Sequence, residues 1–298
     1  FLGNYSADAP AAEITRQAAL YGETLARREA GKRRLQHANT PDPDRRLRVG
    51  LVSGDFNQHP VAFFLENVLR ALDSRKIELF AYATSARRDE TTTRLEAIVP
   101  NWRDAVRLDN DALDRTMVKD GFDILVDLAG HTQNARLAVF ARKPAPVAVT
   151  WLGYSGTTGV GAIDYVLADR IVAPPAEAGL FTETIWRLPD SYLCYSPPAG
   201  IPEIAPLPAR GNGYVTFGSF NNLNKVNDRT IALWSRLLAA LPTAKLAFKG
   251  GALRRDEAAA ELRQRFTQAG ADAGRIIVLP YEAEFQSHLA AYRDVDIG

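Results

Sequence analysis

A histidine follows the first long apolar segment of this chain, at a position where enzymes often carry out chemistry. Residues 47–52 predict a buried parallel strand, and residues 55–60 follow it with the sequence Asp-Phe-Asn-Gln-His-Pro. Because ligands of open α/β sheets gather at the loops that leave the carboxyl ends of strands, His59 is a candidate catalytic residue. The alternative is a structural histidine that begins the helix predicted over residues 60–72, since most histidines have no chemical task.

A second polar loop follows the strand predicted over residues 214–220. Asn222 and two further asparagines precede Lys225, so three amides and one ammonium group leave the same strand end. Lys225 could balance the charge of a leaving diphosphate, and Asn222 could form hydrogen bonds with a base or a ribose. The alternative is ordinary turn chemistry, in which asparagine-rich loops are common.

A glycine-rich turn at residues 153–161 follows the strand predicted over residues 146–151. Four of its nine residues are glycine. Glycine permits both a sharp turn and a close approach, so the backbone amides of this turn could face an anion or a sugar. A plain glycine-rich connection explains the turn equally well.

Several common catalytic signatures are absent from the sequence. It contains neither a P-loop, nor the His-Glu-x-x-His motif of zinc proteases, nor a Gly-x-Ser-x-Gly nucleophile elbow. The dinucleotide-binding fingerprint is also missing, because only one glycine follows the first strand.

Asp-x-Asp, a pattern of metal-dependent sugar transferases, occurs at residues 109–111 and 294–296, but chance explains both. Asp109 heads a predicted helix, where aspartate is a favoured N-cap, and the second pair lies on a predicted strand.

The composition is that of an ordinary globular protein. Of the 298 residues, 46% are hydrophobic and 24% are charged, and 36 basic residues against 35 acidic ones give a net charge of +1. This balance does not favour a nucleic acid as partner. No run of about 18 apolar residues predicts a membrane span. The single cysteine, Cys194, excludes an internal disulfide and suits a reducing compartment, so we expect a cytoplasmic protein that does not associate with membranes.

Strands and helices alternate along most of the chain. After a first helix at residues 11–34, strands are predicted at residues 47–52, 77–83, 105–108, 123–128, 146–151 and 165–168, with helices at 61–72, 92–99, 112–119 and 135–140. After five prolines between residues 196 and 213, strands are predicted at 214–220, 245–248, 275–279 and from 295, with helices at 228–240, 256–268 and 284–292. Such alternation predicts an α/β protein built of βαβ units with mostly parallel sheets.

The interruption by prolines predicts a domain boundary. The chain therefore divides into four segments, which are a helical linker (1–45), a Rossmann-like domain (46–195), a proline-rich linker (196–213) and the first part of a second Rossmann-like domain (214–298). The chain begins with Phe1 rather than methionine and ends at Gly298 in a predicted strand. We therefore expect a fragment cut at both ends, in which the second domain is incomplete.

Three stretches together resemble the O-GlcNAc transferase family, in particular its bacterial members. They are residues 48–60, residues 123–132 and, as the most specific, residues 143–159 with the sequence KPAPVAVTWLGYSGTTG. The opening residues 4–5, with the amphipathic helix after them, resemble the segment that joins the family's tetratricopeptide repeats to its catalytic part. The resemblance covers most of the chain.

This resemblance implies a GT-B fold, in which two Rossmann-like domains face a cleft and the second domain holds most of a UDP-sugar. It implies an inverting transfer of N-acetylglucosamine from UDP-GlcNAc to serine or threonine hydroxyls of a protein or peptide acceptor. The family uses no catalytic metal, so no cofactor is expected. The repeats, which are absent from this sequence, would recruit acceptors and could form a homo-oligomer.

The resemblance also assigns roles to individual residues. His59 matches the active-site histidine that is proposed as general base or as acceptor-positioning group. Lys225 matches the lysine that contacts the UDP diphosphate, and Asn222 takes the place of a glutamine in the animal enzymes. His288 matches a histidine beside the nucleotide. The candidates for the acceptor and sugar pocket lie in the matching stretches, and they are His131, Gly153, Tyr154 and Gly156.

Two departures from the family pattern affect the expected activity. The Gly/His-Thr-Thr stretch that binds the phosphates would lie just beyond Gly298, so the chain alone is expected to be inactive. The long inserted domain of the animal enzymes is replaced by the proline-rich linker. Two alternatives stay open, namely a GT-B transferase with another donor sugar and a catalytically idle scaffold that binds a protein or a nucleotide.

Overall fold

The computed structural model describes residues 2–6, 8–42, 44–198, 200–282 and 284–298, without the side chains of residues 2 and 4. The chain divides into two compact units. The amino-terminal unit is Ala9–Pro197, and the carboxy-terminal unit combines Leu2–Asp8 with Pro198–Gly298. The four segments expected from the sequence stay predictions.

The amino-terminal unit contains seven strands and five α-helices among its described residues. The strands are β1 (Leu47–Ser53), β2 (Ile77–Ala83), β3 (Asn101–Asp104), β4 (Ile124–Asp127), β5 (Val147–Thr150), β6 (Tyr165–Ala168) and β7 (Thr184–Arg187). The helices are α1 (Ala11–Glu29), α2 (Pro60–Ala71), α3 (Glu90–Ile98), α4 (Asn110–Asp120) and α5 (Leu137–Phe140). The strands form one sheet in the order β3-β2-β1-β4-β5-β6-β7, and every pairing is parallel.

Both faces of this sheet are covered. Side chains alternate between the faces along a strand, so neighbouring residues belong to different cores. Val52 packs with residues of α1, α4 and α5 in one apolar cluster, whereas Leu51 packs with residues of α2 and α3 in the other. The polar loops at the carboxyl ends of the strands therefore extend from a rigid support.

The carboxy-terminal unit has a smaller parallel sheet in the order β10-β9-β8. Its elements are α6 (Ala209–Asn212), β8 (Thr216–Ser219), α7 (Asp228–Ala240), β9 (Lys245–Phe248), α8 (Asp256–Gln268), β10 (Ile276–Val278) and α9 (Phe285–Ala290). One face of the sheet packs on α7 and α8 through Leu246 and Phe248. Beside β8, Ile297 pairs with Phe217 through a single parallel bridge.

Most predicted elements are confirmed, and the helices at 228–240 and 256–268 agree with the structure to the residue. The strand predicted at 105–108 is wrong, because β3 ends at Asp104 and the following residues lead into Asp109, the N-cap of α4. The edge strand β7 escaped prediction, because three of its four residues are exposed and it lacks an apolar pattern. The strand expected from residue 295 is only the single bridge of Ile297.

The first helix is shorter than predicted and packs closely on the amino-terminal unit. It ends at Glu29, after which a short 3₁₀ turn follows. A Cβ atom added to Gly22 of α1 would lie 1.7 Å from the carbonyl oxygen of Gly159, and one added to Gly159 would lie 2.0 Å from that of Ala18. The helix and the glycine-rich turn thus meet backbone to backbone. None of the described helices is both long enough and apolar enough to span a membrane.

The substitution Gly22→Ala tests this close contact. Alanine normally stabilises a helix relative to glycine by up to about 1 kcal/mol, but here the methyl group would push α1 away from the turn. We expect the free energy of unfolding, measured in urea, to fall by about 1–3 kcal/mol. Gly31→Ala is the control, because no atom lies within 4 Å of an added Cβ there. A Gly22→Ala protein as stable as the original would contradict the contact.

Candidate active site

His59 lies at the carboxyl edge of the large sheet and also caps a helix. It is the N-cap of α2, where its Nδ1 accepts a hydrogen bond from the backbone N–H of Val61 at 3.3 Å. Oδ2 of Asp55 lies 3.8 Å from the same nitrogen, and 42% of the histidine side chain is exposed. Because Nδ1 accepts this bond, the neutral ring carries its proton on Nε2. Burial raises the pKa of Asp55.

The loop of His59 leaves the sheet where the strand order reverses. β1 pairs with β2 on one side and with β4 on the other, so the chain builds the sheet outward in both directions from this position. Ligands of open α/β sheets bind at such a switch point. The loops after β1 and β4 are in contact there, since a Cβ added to Gly54 would lie 2.8 Å from Cβ of Asn134. The structure thus places the loops of His59 and His131 side by side.

A buried aspartate organises the loop after β4. Asp127 is fully buried and accepts hydrogen bonds from the N–H groups of Ala129 at 3.2 Å and Gly130 at 2.8 Å, and from the hydroxyl of Thr150 at 2.9 Å. Burial raises its pKa to about 6. The sequence analysis did not select this residue, although a lone acid that ends an apolar strand is a signal that could have identified it.

His131 is held between two tyrosine rings. Its Nε2 donates to the carbonyl oxygen of Thr158 at 2.9 Å. The rings of Tyr21 and Tyr154 meet the imidazole edge to face, with centroid distances of 5.3 and 5.2 Å. Burial lowers the pKa of His131, so the ring is neutral near pH 7. The imidazole therefore connects the loop after β4 to α1 and to the glycine-rich turn.

Packing accounts for the glycines that the sequence analysis assigned to the pocket. A Cβ added to Gly153 would lie 2.0 Å from the carbonyl oxygen of Leu128, so only glycine fits against the loop after β4. A Cβ added to Gly156 would lie 3.1 Å from the ring of Tyr154. Of these residues, Tyr154 contacts the ring of His131. Contact of Gly153, Tyr154 and Gly156 with a sugar stays a prediction.

A second buried carboxylate anchors the glycine-rich turn. Glu183 accepts the hydroxyl of Thr157 at 2.6 Å and the backbone N–H of Thr158 at 2.8 Å, and it also bonds the Thr158 hydroxyl. Only 5% of the residue is exposed. Glu183 directly precedes the edge strand β7, which had no recognisable sequence pattern, so sequence reasoning missed this anchor.

The predicted donor residues lie together in the carboxy-terminal unit. Oδ1 of Asn222 accepts the N–H of Asn224 at 3.0 Å, and the Lys225 N–H donates to the Asn222 carbonyl oxygen at 2.9 Å. These bonds form a 3₁₀ turn (Leu223–Lys225). Lys225 in this turn and Asn222, which precedes it, are both exposed. The turn follows β8, so both side chains stand at the carboxyl edge of the small sheet.

His288 lies at the same edge. The His288 ring packs against Phe220 at a centroid distance of 5.8 Å and against Tyr292 at 6.2 Å. Phe220 follows β8 directly and opens the loop that contains Asn222 and Lys225. Burial lowers the pKa of His288, and the charge of Lys249 lowers it further. Within the described ranges, no three His, Cys, Asp or Glu side chains are gathered as they are in metal sites.

Comparison with known proteins places this architecture in one family. The sequence model described as glycosyl transferase family 41 matches residues 12–196, which is more than half of the chain. The chain belongs to this family. Its resemblance to the O-GlcNAc transferases, inferred from the three sequence stretches, is thereby confirmed.

Curated relatives agree with this assignment. A protein of Petunia hybrida, named probable UDP-N-acetylglucosamine–peptide N-acetylglucosaminyltransferase SPINDLY, is 37% identical over 268 residues, which are 87% of this chain. The chain spans 28% of the length of that relative. A similarly named transferase of Caenorhabditis elegans is 33% identical over 55% of this chain.

Solved structures confirm the GT-B fold. The O-GlcNAc transferase of Thermobaculum terrenum, solved as a point mutant, matches 98% of this chain and 55% of its own, with a TM-score of 0.91 and 36% identity. The lipopolysaccharide outer core galactosyltransferase WaaB matches 84% of this chain and 72% of its own, with a TM-score of 0.50 and 12% identity. The second likeness concerns the fold alone.

The raised pKa of Asp127 predicts an unusual dependence of stability on pH. A buried acid that holds its proton more tightly in the folded state contributes stability below its unfolded pKa near 4, and this contribution is lost as the pH rises through about 6. As the pH rises from 4 to 7, the free energy of unfolding of Asp127→Asn should therefore increase by on the order of 2 to 3 kcal/mol relative to that of the original protein.

Urea unfolding at a series of pH values measures this difference. Asp169→Asn is the control, because backbone N–H groups lower the pKa of Asp169. Its contribution to stability is lost only below the unfolded pKa near 4, so it hardly changes between pH 4 and pH 7. The assignment is wrong if the difference between Asp127→Asn and the original protein does not change over this range.

Proposed function

We propose that this protein is an inverting glycosyltransferase that moves N-acetylglucosamine from UDP-GlcNAc to serine or threonine hydroxyls of a protein or peptide acceptor. The observation that carries the proposal is the match to the Thermobaculum terrenum O-GlcNAc transferase over 98% of the chain at 36% identity. Membership of glycosyl transferase family 41 and the names of the curated relatives support the same donor and acceptor.

In the proposed reaction, the acceptor hydroxyl oxygen forms a bond with the anomeric carbon as the bond between that carbon and the UDP oxygen breaks. Attack from the face opposite the leaving group inverts the configuration. The hydroxyl proton must leave, and the departing UDP carries an additional negative charge. The protein therefore has to stabilise an anion on one side of the sugar and to orient a hydroxyl on the other.

The carboxy-terminal unit supplies the groups for the donor. Lys225 is exposed at the carboxyl edge of the small sheet, where its ammonium group can neutralise the diphosphate. Asn222 shares its turn with Lys225 and can bond the ribose or the base through its amide. His288 lies beside this loop on Phe220 and borders the nucleotide. The cation for the leaving group is thus a lysine, and the proposal includes no metal or other cofactor.

The amino-terminal unit supplies His59 for the acceptor. In the observed hydrogen bonding, the neutral ring carries its proton on Nε2, so this nitrogen can donate to the acceptor oxygen and position it. A role as base through Nε2 requires the proton to move to Nδ1, toward the carboxylate of Asp55 at 3.8 Å. The tautomer required by the hydrogen bond from Val61 favours the positioning role. His131, held beside this loop, belongs to the same proposed pocket together with Gly153, Tyr154 and Gly156.

The remaining features of the proposal concern location and partners. A single cysteine and a net charge of +1 support a cytoplasmic protein that binds neither nucleic acid nor membranes. The opening segment resembles the one that joins the family's tetratricopeptide repeats to its catalytic part. This resemblance supports a protein whose repeats recruit the acceptor and form a homo-oligomer.

The substitution Lys225→Ala tests the donor site. Loss of a charge-assisted contact should weaken UDP binding by about 10- to 100-fold, measured by calorimetry on the protein at its full natural length. Lys245→Ala is the matched control, since Lys245 begins the neighbouring strand β9 and lies over the ring of Tyr214 at 4.1 Å. A full-length protein that does not bind UDP would contradict the donor class, and binding undiminished by Lys225→Ala would contradict the site.

The substitutions His59→Asn and His59→Ala separate capping from chemistry. Asparagine is a good N-cap, so His59→Asn should leave stability nearly unchanged, whereas His59→Ala should cost about 1 kcal/mol. Both should lower the rate of transfer to a peptide by about 10² to 10⁴-fold. Full activity of His59→Asn would contradict a chemical role for His59, and absence of transfer by the original protein would favour an idle scaffold. A faster rate with another UDP-sugar in a donor panel would change the assigned sugar.

A further inference from the structure

Lys249 is a buried cation with no acceptor for its ammonium group. Only 1% of the residue is exposed. Its Nζ makes no hydrogen bond to any described group of the protein, whereas most buried polar atoms do. A charge removed from water without a partner destabilises a folded protein. Such an unpaired ammonium group indicates a site where a ligand supplies the missing acceptor.

Lys249 stands at the carboxyl edge of the small sheet. It directly follows β9, and its N–H donates to the carbonyl oxygen of Ser219, the last residue of β8, at 3.3 Å. On the other side, the N–H of Leu279, just after β10, donates to the carbonyl oxygen of Phe248 at 2.8 Å. Lys249 therefore lies between the loops that leave β8 and β10, at the edge where parallel sheets bind ligands.

The face of the sheet on which Lys249 lies is known from the alternation of side chains. Phe248 packs in the core under α7 and α8, so Ala247 and Lys249 belong to the opposite face. Gly218 pairs with Ala247 there, and a Cβ added to Gly218 would lie 2.6 Å from the side chain of Val295. The segment that contains α9 and Val295 covers this face.

An aromatic cluster lies on this covered face beside Lys249. Phe220 packs against Tyr292 at a centroid distance of 4.4 Å and against His288 at 5.8 Å. The backbone N–H of Lys249 bonds the carbonyl oxygen of Ser219, the residue directly before Phe220. Lys249 therefore lies beside the loop that carries the residues we assign to the nucleotide, and its charge contributes to the lowered pKa of His288.

Two acidic residues of the covering segment have other partners. Glu284 accepts the hydroxyl of Ser287 at 3.0 Å. Asp296 accepts the backbone N–H groups of Ala209 and Thr216, both at 2.8 Å. No described carboxylate forms a hydrogen bond with the ammonium group of Lys249, which leaves this group able to bind an external anion.

We propose that Lys249 is a second cation of the donor site, whose ammonium group binds phosphate oxygens of a nucleoside diphosphate. This inference rests on the proposed function and adds a residue to the donor site that includes Lys225. A buried ammonium is poorly screened by water, so its attraction for a phosphate is stronger than that of an exposed lysine. In this proposal, Lys225 contacts the diphosphate from the solvent-exposed loop, and Lys249 contacts it from the sheet face that the segment of α9 covers.

The test compares Lys249→Met and Lys249→Arg with the original protein at its full natural length. UDP and uridine are the probes, because uridine lacks the phosphates. Lys249→Met should weaken UDP binding by about 10- to 100-fold and leave uridine binding unchanged, whereas Lys249→Arg should restore most of the affinity. Lys245→Met removes the same charge from the other end of β9 and should leave both affinities within about twofold.

Thermal unfolding without ligand provides an independent readout. Methionine has a similar length and carries no charge, so Lys249→Met should unfold at the same or a higher temperature than the original protein. A lysine with only a structural role would give the opposite result. At one UDP concentration, UDP should raise the unfolding temperature of Lys249→Met less than that of the original protein and of Lys245→Met.

The outcomes distinguish this inference from the proposed function. If the original protein does not bind UDP, the proposed donor is wrong. If the original protein binds UDP and Lys249→Met binds it equally well, only the assignment of Lys249 is overturned. Equal weakening of UDP and uridine, or a loss of stability without ligand, would also overturn the assignment, because either result indicates a general distortion of the site.

Discussion

The parallel pairing of β1 with β4 is the constraint on which the candidate site of the amino-terminal unit depends. These strands are neighbours in the sheet although β2 and β3 separate them in the chain. Parallel strands end at the same edge, so the loop of His59 and the loop of His131 must leave the sheet together. The reversal of strand order opens a crevice between such loops, and the rigid sheet beneath them fixes their position.

Buried polar groups then hold these loops in one conformation. Asp127 binds two backbone N–H groups and a hydroxyl, and Glu183 binds the turn that carries Thr157 and Thr158. Each carboxylate therefore replaces the water that it loses with donors from the protein, as buried acids require. The two anchors fix the loop after β4, which carries His131, and the glycine-rich turn, whose Thr158 carbonyl oxygen accepts a hydrogen bond from the ring of His131.

Lys249 contrasts with these two acids. Its side chain is equally buried, but the described part of the protein provides no acceptor for its ammonium group. Sites that bind ligands often sacrifice stability for function, and an unsatisfied charge at the edge of a parallel sheet is one form of this compromise. In the same unit, Lys225 and Asn222 are exposed, so one sheet edge combines accessible groups with a preorganised buried one.

The sequence by itself determined most of the succession of strands and helices, the family and the loops of the candidate site. Apolar periodicity is a local property, which is why the helices at 228–240 and 256–268 were predicted to the residue. His59 and Lys225 were selected on the same local basis, because each lies in the loop after a strand that the pattern indicates.

Only the tertiary structure decided which polar residues are buried and what they bind. The partners of Glu183 lie about 25 residues earlier in the chain, and the edge strand that follows it has no apolar pattern because only one side of it is paired. His131 was selected for its family match, but its position between Tyr21 and Tyr154 depends on how α1 packs. The isolation of Lys249 likewise results from the covering of one sheet face by a segment that is distant in the chain, and no local pattern of residues encodes such burial.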